Sequence, residues 1–411
     1  MRRARWAFAL ALLSAALIAV GQVSARTESP GAAKAGTIKI GISLPLTGRF
    51  SEPGTDAMKG YKIWASLVNK GGGLLHKKVV LDIKDDASDQ ATIVSDYNRL
   101  ISEDHVDLLL GTFSSFLNLP ASSVAERNHM VFVAPAGGSP ALFARHYHYY
   151  FFAQQATAPH QGDLFSAWVK RLSPAKRPKS IAYPTLNDPF TQPVIDGIRT
   201  KLEALGIKTV YSKVYPTDTT DFDTIAQQIK SSGADAVVHG ATFQDGVGLI
   251  RSMIKLGYNP KLLFQTTAPT EAGDYAKAIG VQNTTGVMYA VSYAANAKGK
   301  KFPMNPQFVK AYKKAYKAPI PTEDAADAFA AAQVLQAAVK KVGKLDQSKM
   351  ANWLHSNVVN TILGPLSWDA DGAPREAFFL AQWQKGKPQI LSPKYIRTTK
   401  KIIYPKPAWH P

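Results

Sequence analysis

Two short stretches carry the residues best suited to holding another molecule. Ser114 and Ser115 stand just after an apolar run that stops at Gly111, and Ala136, Gly137, Gly138 and Ser139 lie in APAGGSP, residues 134–140. Each stretch follows a run that reads as a buried strand, residues 107–110 and 129–133. Serines placed after a strand cap the next helix, turning their hydroxyls and the helix's free first-turn N–H groups toward the strand ends. The glycines of the second loop let backbone approach a ligand closely. Small side chains and unpaired N–H donors at two neighbouring strand ends suit a carboxylate better than any other common group.

The same serines do not read as nucleophiles. The chain has no GxSxG elbow, no histidine spaced for a triad, and neither a P-loop nor a Rossmann glycine fingerprint. Cysteine is absent, which removes disulfides, Cys-ligated zinc and thiol chemistry together. Asp85, Asp86 and Asp89 are the densest acids near a strand end, but Ser88 and Asp89 also make an ordinary helix start, and a hard cation needs more oxygens than these supply. His146, His148 and His160 lack ligand partners at helix spacing. The expectation is a protein that is not an enzyme and holds neither metal nor cofactor.

Length and composition bound the elements that must position these loops. With 411 residues and 45% hydrophobic content, the chain can build two domains' worth of core. Residues 1–25 differ from the rest: Arg2, Arg3 and Arg5 precede an apolar core and a small-residue cleavage site, the pattern of a secretory signal peptide. Residues 26–36 then read as a linker. No later apolar run approaches the roughly 20 residues of a membrane span. A leader without a lipid-acceptor cysteine favours the periplasm. The net charge is +19, but lysines are spread along helix surfaces or gathered at 175–179 and 397–401, a linker and the tail, so a solvated surface is expected rather than a nucleic-acid site.

Strand and helix patterns alternate along the chain. Strands at 37–43 and 79–84 and helices at 56–69 and 91–102 lead into the two loops, the first helix placing Met58, Tyr61, Trp64, Ala65 and Val68 on one face. A second series follows, with strands at 180–183, 210–214, 234–239 and 262–265. Such alternation requires a parallel, doubly wound sheet, and ligands bind beyond the carboxyl ends of its strands. By that rule the loops 184–190, 240–246 and 266–270 form a second wall, offering Asp188, Phe190, Thr242, Phe243 and Thr266. Helices are expected at 306–317 and 322–342, the latter capped by Thr322 with Glu323 and Asp324 facing its positive end.

The serine and glycine loops, the opening IKIGISLPLTGRF (38–50) and LDIKDDASD (81–89) together resemble the periplasmic solute-binding proteins of the leucine/isoleucine/valine-binding type, the receptors of ABC importers. The resemblance runs from about Thr37 to the end, and the order of motifs is more specific than any one of them. It implies an α/β fold of two doubly wound parallel-sheet lobes joined by a three-segment hinge, the type I arrangement. Lobe 1 would comprise 37–154 and 290–365 and lobe 2 155–289 and 366–395, with 396–411 as a tail and GVMYAVS, from residue 286, as a return to lobe 1.

It also implies capture of a carboxylate-bearing solute for a permease in the inner membrane, by a monomer. The carboxylate would rest on Ser115 and on backbone of residues 136–138, with Ser114 beside them. Ser139 would replace a threonine that amino-acid-binding relatives carry at the position of Gly138. Those relatives also place a glutamate near Ala268 and a tyrosine near Thr242, and both are missing. Either Asp188 or Asp245 neutralises a ligand ammonium, or the ligand has none and presents an aromatic or aliphatic body to Phe190 and Phe243. A module delivering solute to a separate signalling protein is the alternative function.

Overall fold

An apolar strand, β1 (Thr37–Leu44), buried along nearly its whole length, organises the first half of the molecule. In this computed structural model, which describes residues 36–318 and 320–410, β1 lies beside β2 (Lys78–Asp85) and β3 (Leu108–Leu110), followed outward by β4 (Phe132–Ala134) and β5 (Tyr150–Phe152). The sheet order is β2-β1-β3-β4-β5 and every neighbouring pair is parallel. Side chains alternate between its faces. Leu108, Leu110, Val133 and Phe151 enter one core, and Leu109, Phe132, Ala134 and Phe152 enter another. Burial on both faces explains why these strands read as continuous apolar runs.

The first core is closed by the helices Ser51–Lys70 and Glu323–Val342. Their contact explains the alanine-rich stretch: Ala325, Ala326 and Ala328 are fully buried, and a Cβ on Gly60 would sit 2.0 Å from the Ala325 carbonyl oxygen. Trp64 and Tyr61 are buried there, with Trp64 Nε1 donating to Gln336 Oε1 at 2.9 Å. The helix begins at Ser51, five residues before the expected start, because Pro53 falls in its first turn, where a missing N–H costs nothing.

The second sheet takes β6 (Ser180–Leu186), β7 (Lys208–Tyr215), β8 (Ala236–His239), β9 (Leu262–Gln265) and β10 (Met288–Val291). After a small hairpin, β11 (Val359–Thr361) and β12 (Gly364–Leu366), it also takes β13 (Phe379–Gln384) and β14 (Lys387–Ser392). Its order is β14-β13-β10-β9-β8-β6-β7. The strands from β6 to β10 pair in parallel, while β13 and β14 add antiparallel at one edge.

Two expectations are corrected. Residues 288–291 do not return to the first sheet: they pair with β9 and β13, and the crossing comes after them. The tail has no regular structure but is docked, with Ile403 N donating to Gln382 at 2.9 Å and Trp409 Nε1 to the Tyr258 carbonyl at 2.8 Å. The helix Gln347–Ser356 had no expectation at all.

Three crossings join the sheets, and Gln155 ties them together. Its Nε2 reaches the carbonyls of Ser292 at 2.6 Å and Leu363 at 3.1 Å, and its own carbonyl accepts from Glu376 N at 2.8 Å. Among the described residues no helix is long and apolar enough to cross a membrane; the expected signal peptide, 1–25, lies outside them.

Candidate functional site

In each sheet the strand order reverses once, between β1 and β3 in the first and between β6 and β8 in the second. Loops diverge at such a point and leave a crevice beyond the strand ends. Here the two crevices open into one cleft between the lobes.

The first wall is built around Asn118. This fully buried side chain sends Nδ2 to the carbonyls of Thr112 at 2.8 Å, Ser114 at 3.0 Å and Ala136 at 2.7 Å, fastening both loops to one point. Ser114 is the N-cap of the helix Ser115–Arg127, yet its side chain makes no capping bond. Its hydroxyl is buried in the cleft wall without a partner. Ser115 Oγ accepts from Ser139 N at 3.1 Å, which leaves its proton free to donate. Gly137 turns the second loop with φ +108°, and a Cβ there would lie 3.0 Å from Asn118 Nδ2. Backbone thus replaces side chain where the loops meet. Across from this wall Gln161, on the second-lobe helix Ala158–Gln161, has an Nε2 that is buried and unpartnered and lines the same cleft.

The second wall is different in kind. Thr266 and Thr267 both donate their hydroxyls to the Ala241 carbonyl, and Thr270 donates to the Thr267 carbonyl. Thr242 donates to Asp245. With those protons committed, the threonines present lone pairs. Asp188 accepts the N–H groups of Phe190 at 2.8 Å and Thr191 at 3.2 Å, opening a helix, and burial raises its pKa.

Carboxyl groups gather where the first-lobe helix Glu323–Val342 meets the crossings. Glu323, Asp324 and Asp327 all line the cleft. Asp327 accepts from Ser292 Oγ and Gln154 Nε2, and Glu323 accepts from Ser292 N. Burial, with neighbouring carboxylates adding to it, pushes the pKa of Glu323 up to about 7. Asp324 rises to about 6, again chiefly through burial. Asp327 and Glu271 are raised well above the usual range by the same causes.

Of the residues expected to form the site, Ser114, Ser115, Ala136, Gly137, Asp188, Phe190, Thr242 and Thr266 line the cleft. Three do not. Gly138 turns its carbonyl to Ala158 N at 2.7 Å, and Ser139 caps the short helix Pro140–Phe143. Phe243 lines a separate hollow with Asp245 and Arg49. Asp245 is held by its capping box with Thr242 and by Arg49 at 3.4 Å, so it is not the acid that faces the cleft.

Glu323 and Asp324 do face it, although dipole complementarity accounted for them in the sequence. Gln154, Gln161 and Asp327 were not among the residues expected at the site. Among the described residues no group of histidine and acid side chains is arranged to hold a metal.

Residues 37–388 match the family described as periplasmic binding protein. The chain belongs to that family. Its relatives include an amino acid binding protein of Pseudomonas aeruginosa, 26% identical over 85% of this chain and 91% of that protein. A Leu/Ile/Val-binding protein homolog of Brucella melitensis is also 26% identical, over 85% of this chain and 92% of its own length. Among solved structures, a leucine binding protein from Thermotoga maritima superposes with TM-score 0.77 at 19% identity, covering 86% of this chain and 98% of that one. A benzoate-bound solute binding protein from R. palustris gives 0.76 at 21% identity, covering 87% and 96%. The family and fold are those of solute-binding receptors, and a periplasmic binding protein works outside the cytoplasm.

One contact bridges the two walls of this periplasmic binding protein at the rim. Arg49, following β1, reaches the Thr217 carbonyl and Asp245 on the other side. Arg49 is a quarter exposed and Asp245 is buried, and a single pair of this kind contributes on the order of 1 kcal/mol. Arg49→Ala is therefore expected to weaken ligand binding about three- to fivefold, through faster dissociation. Stopped-flow release at low and high salt checks this, since the effect should shrink as salt rises.

Proposed function

We propose that the protein is the receptor of an ABC importer, capturing a small carboxylate-bearing solute in the cleft and presenting the closed form to an inner-membrane permease. Residues 1–25 would export it as a cleavable leader, leaving the mature chain in the periplasm. One observation carries the ligand assignment. Ser114 Oγ and Gln161 Nε2 are buried, lack any protein partner and line one cavity.

A buried unpaired polar group costs about 1–3 kcal/mol, so such groups are kept where a ligand satisfies them. The first-turn N–H groups of Ser115–Arg127 add donors at the positive end of a helix dipole. Together they favour an oxygen-rich acceptor, of which a carboxylate is the most common. Phe113, Phe190 and Phe378 supply apolar surface for its body.

Capture follows from the division of the site. Ser114, Ser115 and the helix N–H groups lie on the first lobe, and Gln161, Asp188, Phe190 and the threonines on the second, so a solute that touches both stabilises the closed form by the difference in affinity. Calorimetric titration with amino acids, aliphatic acids and aromatic acids tests binding. Small-angle scattering on the same samples tests closure, and an unchanged radius of gyration at saturation would count against capture by hinge bending.

A further inference from the structure

The lysines are spread along helix surfaces in the sequence, but folding gathers one set of them. From residue 298 to residue 317 there are seven lysines and neither an acid nor an arginine. Lys310, Lys313, Lys314 and Lys317 fall on or just after the helix Asn305–Tyr316 at three- and four-residue steps, which places them on one face. All four are exposed, while Phe308 and Tyr312 on the opposite face enter the first-lobe core.

The helix Ser51–Lys70 lies alongside, and a groove runs between the two. Lys62, Lys70 and Lys314 stand along this groove, and Ile63, Leu67, Ala311, Ala315 and Tyr316 supply its apolar part. Residues 57–81 likewise contain no acid and no arginine. None of the six lysines on these two helix faces forms an ion pair among the described residues. The face is a run of uncompensated positive charge around apolar surface, and an anionic partner complements it.

Residue type decides between anionic partners. Protein interfaces are enriched in arginine and depleted in lysine, and recognition of a carboxylate in fixed geometry uses the guanidinium fork. This face carries lysine alone. Compact charges on flexible stems suit phosphates that share no fixed geometry, as in the head groups of a bilayer. Tyr316, an apolar ring with a polar tip, suits the same level.

We infer that this face of the first lobe docks on a bilayer of anionic phospholipid. The inference rests on the extracytoplasmic location and not on what the cleft holds. Attachment by charge is reversible and screened by salt, so the protein is concentrated at the membrane without being fixed there.

The full mature protein is sedimented with phosphatidylcholine vesicles containing about 40% phosphatidylglycerol, and with phosphatidylcholine vesicles alone, at about 0.1 M salt. Partitioning onto the anionic vesicles should be stronger by about tenfold or more and should fall as salt rises. The groove variant Lys62→Gln/Lys310→Gln/Lys313→Gln/Lys314→Gln should lose roughly nine-tenths of it. A control removes four exposed lysines from the second lobe, Lys208→Gln/Lys213→Gln/Lys277→Gln/Lys387→Gln, and should lose less than about half.

Equal losses in the two variants would assign the binding to net charge and overturn the docking face. Equal binding to neutral and anionic vesicles would overturn it as well. So would the absence of vesicle binding; if poly-glutamate then binds the wild type and not the groove variant, the face fits an acidic protein instead. The assay contains no solute, so its failure leaves capture in the cleft untouched.

Discussion

Asn118→Leu is expected to cost about 4 kcal/mol of stability and to weaken ligand binding by more than tenfold. Leucine keeps the γ-branched shape of asparagine, so the chief loss is polar. What disappears is the donor that serves the carbonyls of Thr112, Ser114 and Ala136, all at a site with no solvent exposure. The Ser114 carbonyl keeps the backbone N–H of residue 118 at 2.8 Å, so those of Thr112 and Ala136 lose their donor, each at a cost of about 1–3 kcal/mol. Because the carbonyls belong to both first-wall loops, their separation also moves the donors of Ser115 and the turn at Gly137. Urea denaturation followed by circular dichroism gives the stability change, and the melting point should fall by roughly 10 °C. Ser122→Ala is the control. It removes the bond to the Asn118 carbonyl and one accepted from Arg145, and should cost about 1–2 kcal/mol.

Asn118 also shows where sequence stops informing. It stands in the first turn of the helix Ser115–Arg127, and nothing in SSFLNLPASS reveals three carbonyls converging on it. The strands β3, β4 and β9 were legible because burial on both faces leaves an unbroken apolar run, β1 because its isoleucines alternate, and the parallel arrangement followed from the alternation of strands and helices. Once the strands were placed, the strand-end rule located Ser114, Gly137, Asp188 and Thr242 without further information. It failed for Glu323, Asp324 and Asp327. These reach the cleft from a helix that packs against a distant strand, and dipole complementarity already accounted for the first two. Phe243 failed for the opposite reason, since it follows a strand end but points along the outer rim with Arg49. Backbone geometry at a loop tip, such as φ +108° at Gly137, decides which way a side chain turns, and composition does not encode it.

The acid cluster should make the ligand-free protein lose stability as pH rises, the reverse of the usual behaviour of paired carboxylates. Asp324 and Glu323 are raised from ordinary carboxylate values to about 6 and about 7, so the folded chain binds more protons than the unfolded one. Stability from such groups is fully present below about pH 4 and is lost as pH climbs through 6 and 7. The loss for either group is on the order of 3 kcal/mol, and opening of the lobes will relieve part of it. Asp86, also raised to about 7 by burial, adds the same sign, whereas His239, lowered to about 3 by burial, adds the opposite one.

The decisive quantity is therefore a difference. Unfolding free energies of the wild type and of Glu323→Gln/Asp324→Asn are compared at pH 5 and pH 8, so that Asp86 and His239 cancel. The wild type should fall relative to the variant by roughly 2–4 kcal/mol over that interval. An equal pH dependence in the two proteins would mean that Glu323 and Asp324 are ionised and already balanced in the empty cleft.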